Sequence, residues 1–133
     1  SPVRISLPFP DTLNVDAMGI GLRFFQCRPD RLPCWKNIPC NQAHFDLAKL
    51  SLPLRVRHTI PGDRFVPLGA SGSQKLKKFF IDHHVPRRDR GQTTVLTDGK
   101  RIVWVMGHRM SDEVKVTPQT TQVLRVEYFL LDT

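Results

Sequence analysis

Apolar and polar residues alternate along several short stretches of this chain. In Val3-Arg4-Ile5-Ser6-Leu7 the apolar side chains share one face, which predicts a half-buried strand. Residues 20–27, IGLRFFQC, predict a second strand, and residues 53–58, PLRVRH, a third with Leu54 and Val56 inward and Arg55 and Arg57 outward. Residues 93–107, TTVLTDGKRIVWVMG, are two β-rich runs around Asp98 and Gly99, a strong hairpin signal. Residues 123–131, VLRVEYFLL, place Leu124, Val126, Tyr128 and Leu130 opposite Arg125 and Glu127. Between residues 28 and 43, Pro29, Pro33 and Pro39 interrupt a polar stretch that reads as loop.

One segment carries the helical period instead. Leu76, Phe79, Phe80 and His83 follow the i, i+3, i+4, i+7 spacing of a buried face, Ser73 is a candidate N-cap, and Pro86 lies just past the end. The prediction is therefore an α+β, β-rich domain, a layered β-sandwich or an open barrel, with one main helix over about residues 73–84. A length of 133 residues and a mass of 15.3 kDa fit one domain across residues 1–133. Ser1 in place of Met suggests a piece of a longer polypeptide, residues 1–44 leading into residues 45–133.

Charge sharpens the picture. The formal net charge is +8 and the pI about 10.0, a balance that favours a polyanionic partner such as nucleic acid, although a merely basic soluble protein has the same composition. Three of the cations, Lys75, Lys77 and Lys78, crowd the predicted helix. At about 100° per residue, Lys75 and Lys78 project on one flank of the apolar stripe and Lys77 on the other. Residues 85–91, VPRRDRG, add Arg87, Arg88 and Arg90 within reach. Two readings stay open for the helix. Its free N–H groups, behind the Gly69-Ala70-Ser71-Gly72 turn, suit a phosphate; equally, the lysines can simply solvate an exposed face while Lys78 pairs with Asp82. Ile81 projects off the apolar stripe, toward a second contact or an interface. Asp63, after Gly62, is expected to bond the backbone of its own turn.

Residues that would carry chemistry are sparse. Adjacent His83 and His84 diverge on a helix, and no phosphate-loop, nucleophile-elbow or paired-histidine metal motif occurs. Cys27, Cys34 and Cys40 form an odd set, which fits reduced thiols in a reducing compartment; with His44 they lack the paired spacing of structural zinc sites. The longest uncharged apolar run, Ile102 to Met106, is far shorter than the roughly 20 residues of a membrane span. The expectation is a soluble, cytoplasmic chain with no metal, no membrane contact and no activity of its own.

Taken together, Arg57, Pro61-Gly62-Asp63-Arg64-Phe65, Pro67-Leu68-Gly69, Gly72, Lys75-Leu76-Lys77, Phe80, Asp82, Val85-Pro86, Arg87-Arg88 and Arg90, then Val103-Trp104-Val105, Gly107 and Arg109, closely resemble the C-terminal domain of bacterial tRNA(Ile)-lysidine synthetase. Residues 45–128 carry the likeness, and Gln74 departs from it where the family often has lysine. The resemblance implies a fold similar to a domain of the phenylalanyl-tRNA synthetase β subunit. It implies a parent ligase that uses ATP, with magnesium, to adenylate the wobble cytidine of a minor isoleucine tRNA and then attaches lysine. The pyrophosphate-binding motif of the implied N-terminal catalytic domain is absent from this sequence. The implied role of these residues is to hold the tRNA body near the acceptor stem, with tRNA(Ile) and the catalytic domain as partners. Arg87, Arg88, Arg90 and Arg109 are then candidates for forked contacts, Lys75, Lys77 and Lys78 for phosphate contacts, and Arg55 and Arg57 for outlying ones. Trp104 is expected in the core. The competing reading is a protein–protein or homodimer module on which the charge is incidental.

Overall fold

Two antiparallel sheets face each other, and a short helix covers the far side of one of them. The computed structural model describes residues 3–31, 37–99 and 101–131. The five-stranded sheet runs in the order β1 (Val3–Ile5), β5 (Leu54–His58), β8 (Thr94–Asp98), β9 (Arg101–Val105), β10 (Arg109–Met110). The four-stranded sheet runs β2 (Thr12–Val15), β3 (Ile20–Cys27), β11 (Val123–Leu130), β4 (Gln42–Asp46). A two-stranded ribbon, β6 (Arg64–Phe65) with β7 (Gln74–Lys75), leads directly into α1 (Leu76–Asp82), and α2 (Arg87–Arg90) follows.

The main core lies between the sheets. Ile5, Leu54, Val56, Leu96, Val103 and Trp104 meet Val15, Leu22, Phe24, Phe45, Leu124 and Val126 there. A second cluster of Phe65, Leu76, Phe79, Phe80, Val85, Val95, Ile102 and Val105 fills the space between α1 and the opposite face of the five-stranded sheet. Strands β8 and β9 are thus buried on both faces, which explains the continuous apolar run Ile102–Val105 of β9 and the adjacent apolar Val95 and Leu96 of β8. A register shift between Leu96 and Thr97 lets Leu96 face Trp104 while Thr97 faces Ile102. The extra residue, Val103, therefore points to the same core as Trp104. Gly99, at φ +65°, closes the hairpin as the Asp-Gly signal predicts.

Several expectations need correction. The helix is shorter at both ends than residues 73–84. Ser73 does not cap it: the Ser73 hydroxyl accepts from the Arg64 guanidinium at 3.1 Å, and Lys75, at ψ 139°, is extended backbone paired with Arg64 across the ribbon. At the other end His83 lies past the last turn and is exposed, not buried, its ring stacked on Phe79 at 4.0 Å. Leu7 and Leu130, expected inward, are 56% and 76% exposed, because each lies at or beyond the end of its strand. Strands β2 and β4 escaped the sequence reading. In β4 the alternation is masked because His44 and Asp46 are buried alongside Ala43 and Phe45. Cys34 lies outside the described residues; Cys27 is half-buried and Cys40 exposed.

The end of α1 is a Schellman turn. The Val85 N–H donates to the Phe80 carbonyl at 2.9 Å, the His84 N–H to the Ile81 carbonyl at 3.1 Å, and Val85 joins Phe80 in the second cluster. His84 holds φ 57°, where a side chain crowds the backbone. Replacing His84 with Gly removes that crowding at some entropic cost. The expected gain is about 0.5–1 kcal/mol, read as a higher urea midpoint at unchanged slope.

Candidate nucleic-acid interface

An open groove of about 600 Å³ runs beside α1, lined by the loop 59–63, by Lys75, Leu76, Lys77 and Phe80, and by Arg87, Arg90 and Gly91. Three separate segments build it, and hydrogen bonds join them. The Thr59 N–H donates to the Thr93 carbonyl, and the Thr59 hydroxyl to the Arg90 carbonyl at 2.7 Å. The Leu76 N–H donates to the Asp63 carbonyl at 2.9 Å, which also takes the first N–H of the helix that sequence reasoning left free for phosphate. The Schellman turn and Pro86 then swing the chain so that Arg87 and Arg90 return to the same groove as Lys75 and Lys77.

Four of the nine cations singled out from the sequence therefore meet: Lys75, Lys77, Arg87 and Arg90. Lys75 groups with Lys77 rather than with Lys78, because Lys75 precedes the helix and a helical projection does not apply to it. The Arg90 Nε is held by the Val85 carbonyl at 3.0 Å, so this cation is fixed in place. The one carboxylate lining the groove is saturated. Asp63 accepts both guanidinium N–H groups of Arg57 at 3.0 Å each and the Ile60 N–H at 2.9 Å, the turn role expected of it. The groove keeps its positive charge, and Arg57 is committed to its wall.

The remaining candidates lie elsewhere. Lys78 sits 2.7 Å from Asp82 in an exposed i,i+4 pair, the alternative weighed from the sequence. Arg88 is exposed on α2 but does not line the groove. Arg109 on β10 stands 6.0 Å over the Phe79 ring and does not line the groove. Arg55 is exposed on β5, directly across from Arg4 of β1. Trp104 is 1% exposed and belongs to the core, as expected. Sequence reasoning missed Arg64, which faces Lys75 in the ribbon register and adds a cation beside the groove. Like charges placed directly across a ribbon repel, and an anion between them reverses the sign. It also missed Ile60 and Thr59, whose neighbours gave no periodic signal.

Away from the groove, His44 is 5% exposed and neither ring nitrogen has a partner among the described residues. Burial, and then the charge of Arg125 across the strand pair, pull its pKa down to about 4. Unfolded His44 takes a proton near pH 6.5 whereas the folded form resists it to about pH 4, so its stabilisation is complete above pH 6.5 and lost as the pH falls. Burial and nearby His83 lower His108 too, in the same direction. Urea unfolding should show about 2 kcal/mol less stability at pH 4.5 than at pH 7.5 from His44 alone. The His44→Phe chain should show a correspondingly flatter profile.

These features define a class: a layered β-rich domain with one main helix, α1, and an open, cationic groove on the helix side. An N-terminal fragment of the phenylalanyl-tRNA synthetase β subunit from Pyrococcus horikoshii shares the fold, with a TM-score of 0.53 and 20% identity over 65% of this chain and 27% of that one. The chain belongs to the TilS substrate C-terminal domain family, whose model matches residues 54–128. A crystal structure of a TilS C-terminal domain superposes with a TM-score of 0.71 and 28% identity, covering 99% of this chain and 93% of that one. A tRNA(Ile)-lysidine synthase of Dehalococcoides mccartyi is 40% identical over 132 residues, 93% of this chain and 28% of that protein. The chain thus spans between 18% and 28% of the length of the first curated relatives it matches. No helix among the described residues is long and apolar enough to cross a membrane.

Proposed function

We propose that this chain is the tRNA-gripping end of a cytoplasmic tRNA(Ile)-lysidine synthase and holds the tRNA body near the acceptor stem. On this reading the parent enzyme's magnesium-bound ATP and lysine react at an N-terminal catalytic domain, on the wobble cytidine of tRNA(Ile), and the present residues do no chemistry. The observation that carries the reading is the convergence of Lys75, Lys77, Arg87 and Arg90 on one groove whose single carboxylate is already neutralised. Ammonium groups there act as point charges on the phosphate backbone, and the guanidinium forks fix its orientation. Such contacts set the register of an RNA without reading its sequence.

A titration of this chain against the isoleucine tRNA and a non-cognate tRNA tests the proposal. With about four phosphates neutralised, log K should fall by roughly three units per tenfold increase in salt. Binding that is absent, or flat in salt, defeats it. A second reading, a protein–protein or homodimer module, draws on the exposed Ile81 of α1 and Leu130 of β11, 50% and 76% exposed. It predicts concentration-dependent association by sedimentation and little affinity for RNA.

A further inference from the structure

We infer that the groove receives a single unpaired nucleotide, its base against Ile60 and Pro61 and its flanking phosphates on the surrounding cations. This rests on the RNA-binding reading and specifies what enters the site. A hollow of about 600 Å³ is the size of a small-molecule cleft, and its floor reaches Leu76 and Phe80, each only 3% exposed. The bases of an A-form duplex are stacked inside it, so a paired region can rest on the rim but cannot lower a base into such a hollow. An unpaired base can be splayed out and inserted.

Phosphates need only the cations, yet the groove also presents Ile60, 57% exposed, with Pro61 beside it. A large aliphatic side chain held in that position offers a base face something to pack on. The polar edges of the wall are already paired. The Ile60 N–H is bonded to the Asp63 carboxylate, the Asp63 N–H to the Ile60 carbonyl, and the Leu76 N–H to the Asp63 carbonyl. With those edges occupied, apolar surface and positive charge remain for a ligand. Recognition of that kind grips any base by its face and tolerates sequence.

Fluorescence anisotropy of this chain with two labelled RNAs tests the inference: a short unpaired oligoribonucleotide and a blunt duplex with the same number of phosphates. The unpaired RNA should bind about tenfold tighter, the low end of what a base stacked on an aromatic ring contributes, because Ile60 and Pro61 are aliphatic. Ile60→Ala should remove most of that preference while leaving the salt dependence in place, whereas Lys77→Ala should lower the salt slope for both RNAs. Equal or tighter binding of the duplex, or a preference that survives Ile60→Ala, overturns the inference. If both RNAs bind equally with steep salt dependence, the RNA-binding reading stands and only this inference falls; if neither binds, both fall.

Discussion

Reversing Lys75, Lys77 and Arg87 to Glu should weaken tRNA binding by at least about a hundredfold near physiological salt and flatten the salt slope by about two units. All three side chains are exposed, so the thermal midpoint should barely move. The informative comparison is a second triple, Arg55, Lys78 and Arg88 to Glu. It changes the net charge by the same amount but touches none of the groove, and it should cost no more than about fivefold. If the two triples weaken binding equally, the general field of a +8 chain is the attraction and the groove has no special part in it.

The second large effect concerns stability. Asp98→Ala should destabilise the domain by about 3–5 kcal/mol, a large share of the stability of any small domain. The Asp98 side chain is fully buried. It accepts from the Ser51 N–H at 2.9 Å and from Arg101 at 3.0 and 2.6 Å, and Arg101 passes the link on to the Lys49 carbonyl at 2.8 Å. The same bond to Asp98 raises the Arg101 pKa. Truncation takes the acceptor from the Ser51 N–H and from a half-covered guanidinium together. Asp98→Asn keeps one acceptor and should lose clearly less. Urea unfolding at pH 7 decides the point, and a loss under about 1 kcal/mol for Asp98→Ala would show that water replaces the carboxylate.

The sequence showed Asp98 only as half of an Asp-Gly turn, and this marks where its legibility stops. Strands with clean alternation, such as Leu54–His58, and the continuous run of Arg101–Val105 were visible because burial on one or both faces writes itself into the residue order. Strand Gln42–Asp46 was not, since His44 and Asp46 are buried by contacts with residues distant in the chain. The helix was legible in its apolar face. Its start was not, because Ser73 is diverted to Arg64 and Lys75 is held by the ribbon, both tertiary choices. The cations could be named from composition, whereas their grouping depends on the turn at His83–Val85, whose left-handed residue is a histidine instead of the glycine that would have signalled it.

That turn and the bonds tying Thr59 to Thr93 and Arg90 hold three stretches of chain against one sheet. A mould built this way yields little, so on the proposed RNA-binding role it is the nucleic acid that would have to adapt at encounter. Selection would then fall on how easily a given RNA can bend its strand or release a base, and molecules too stiff to comply would be turned away even when their charge is identical.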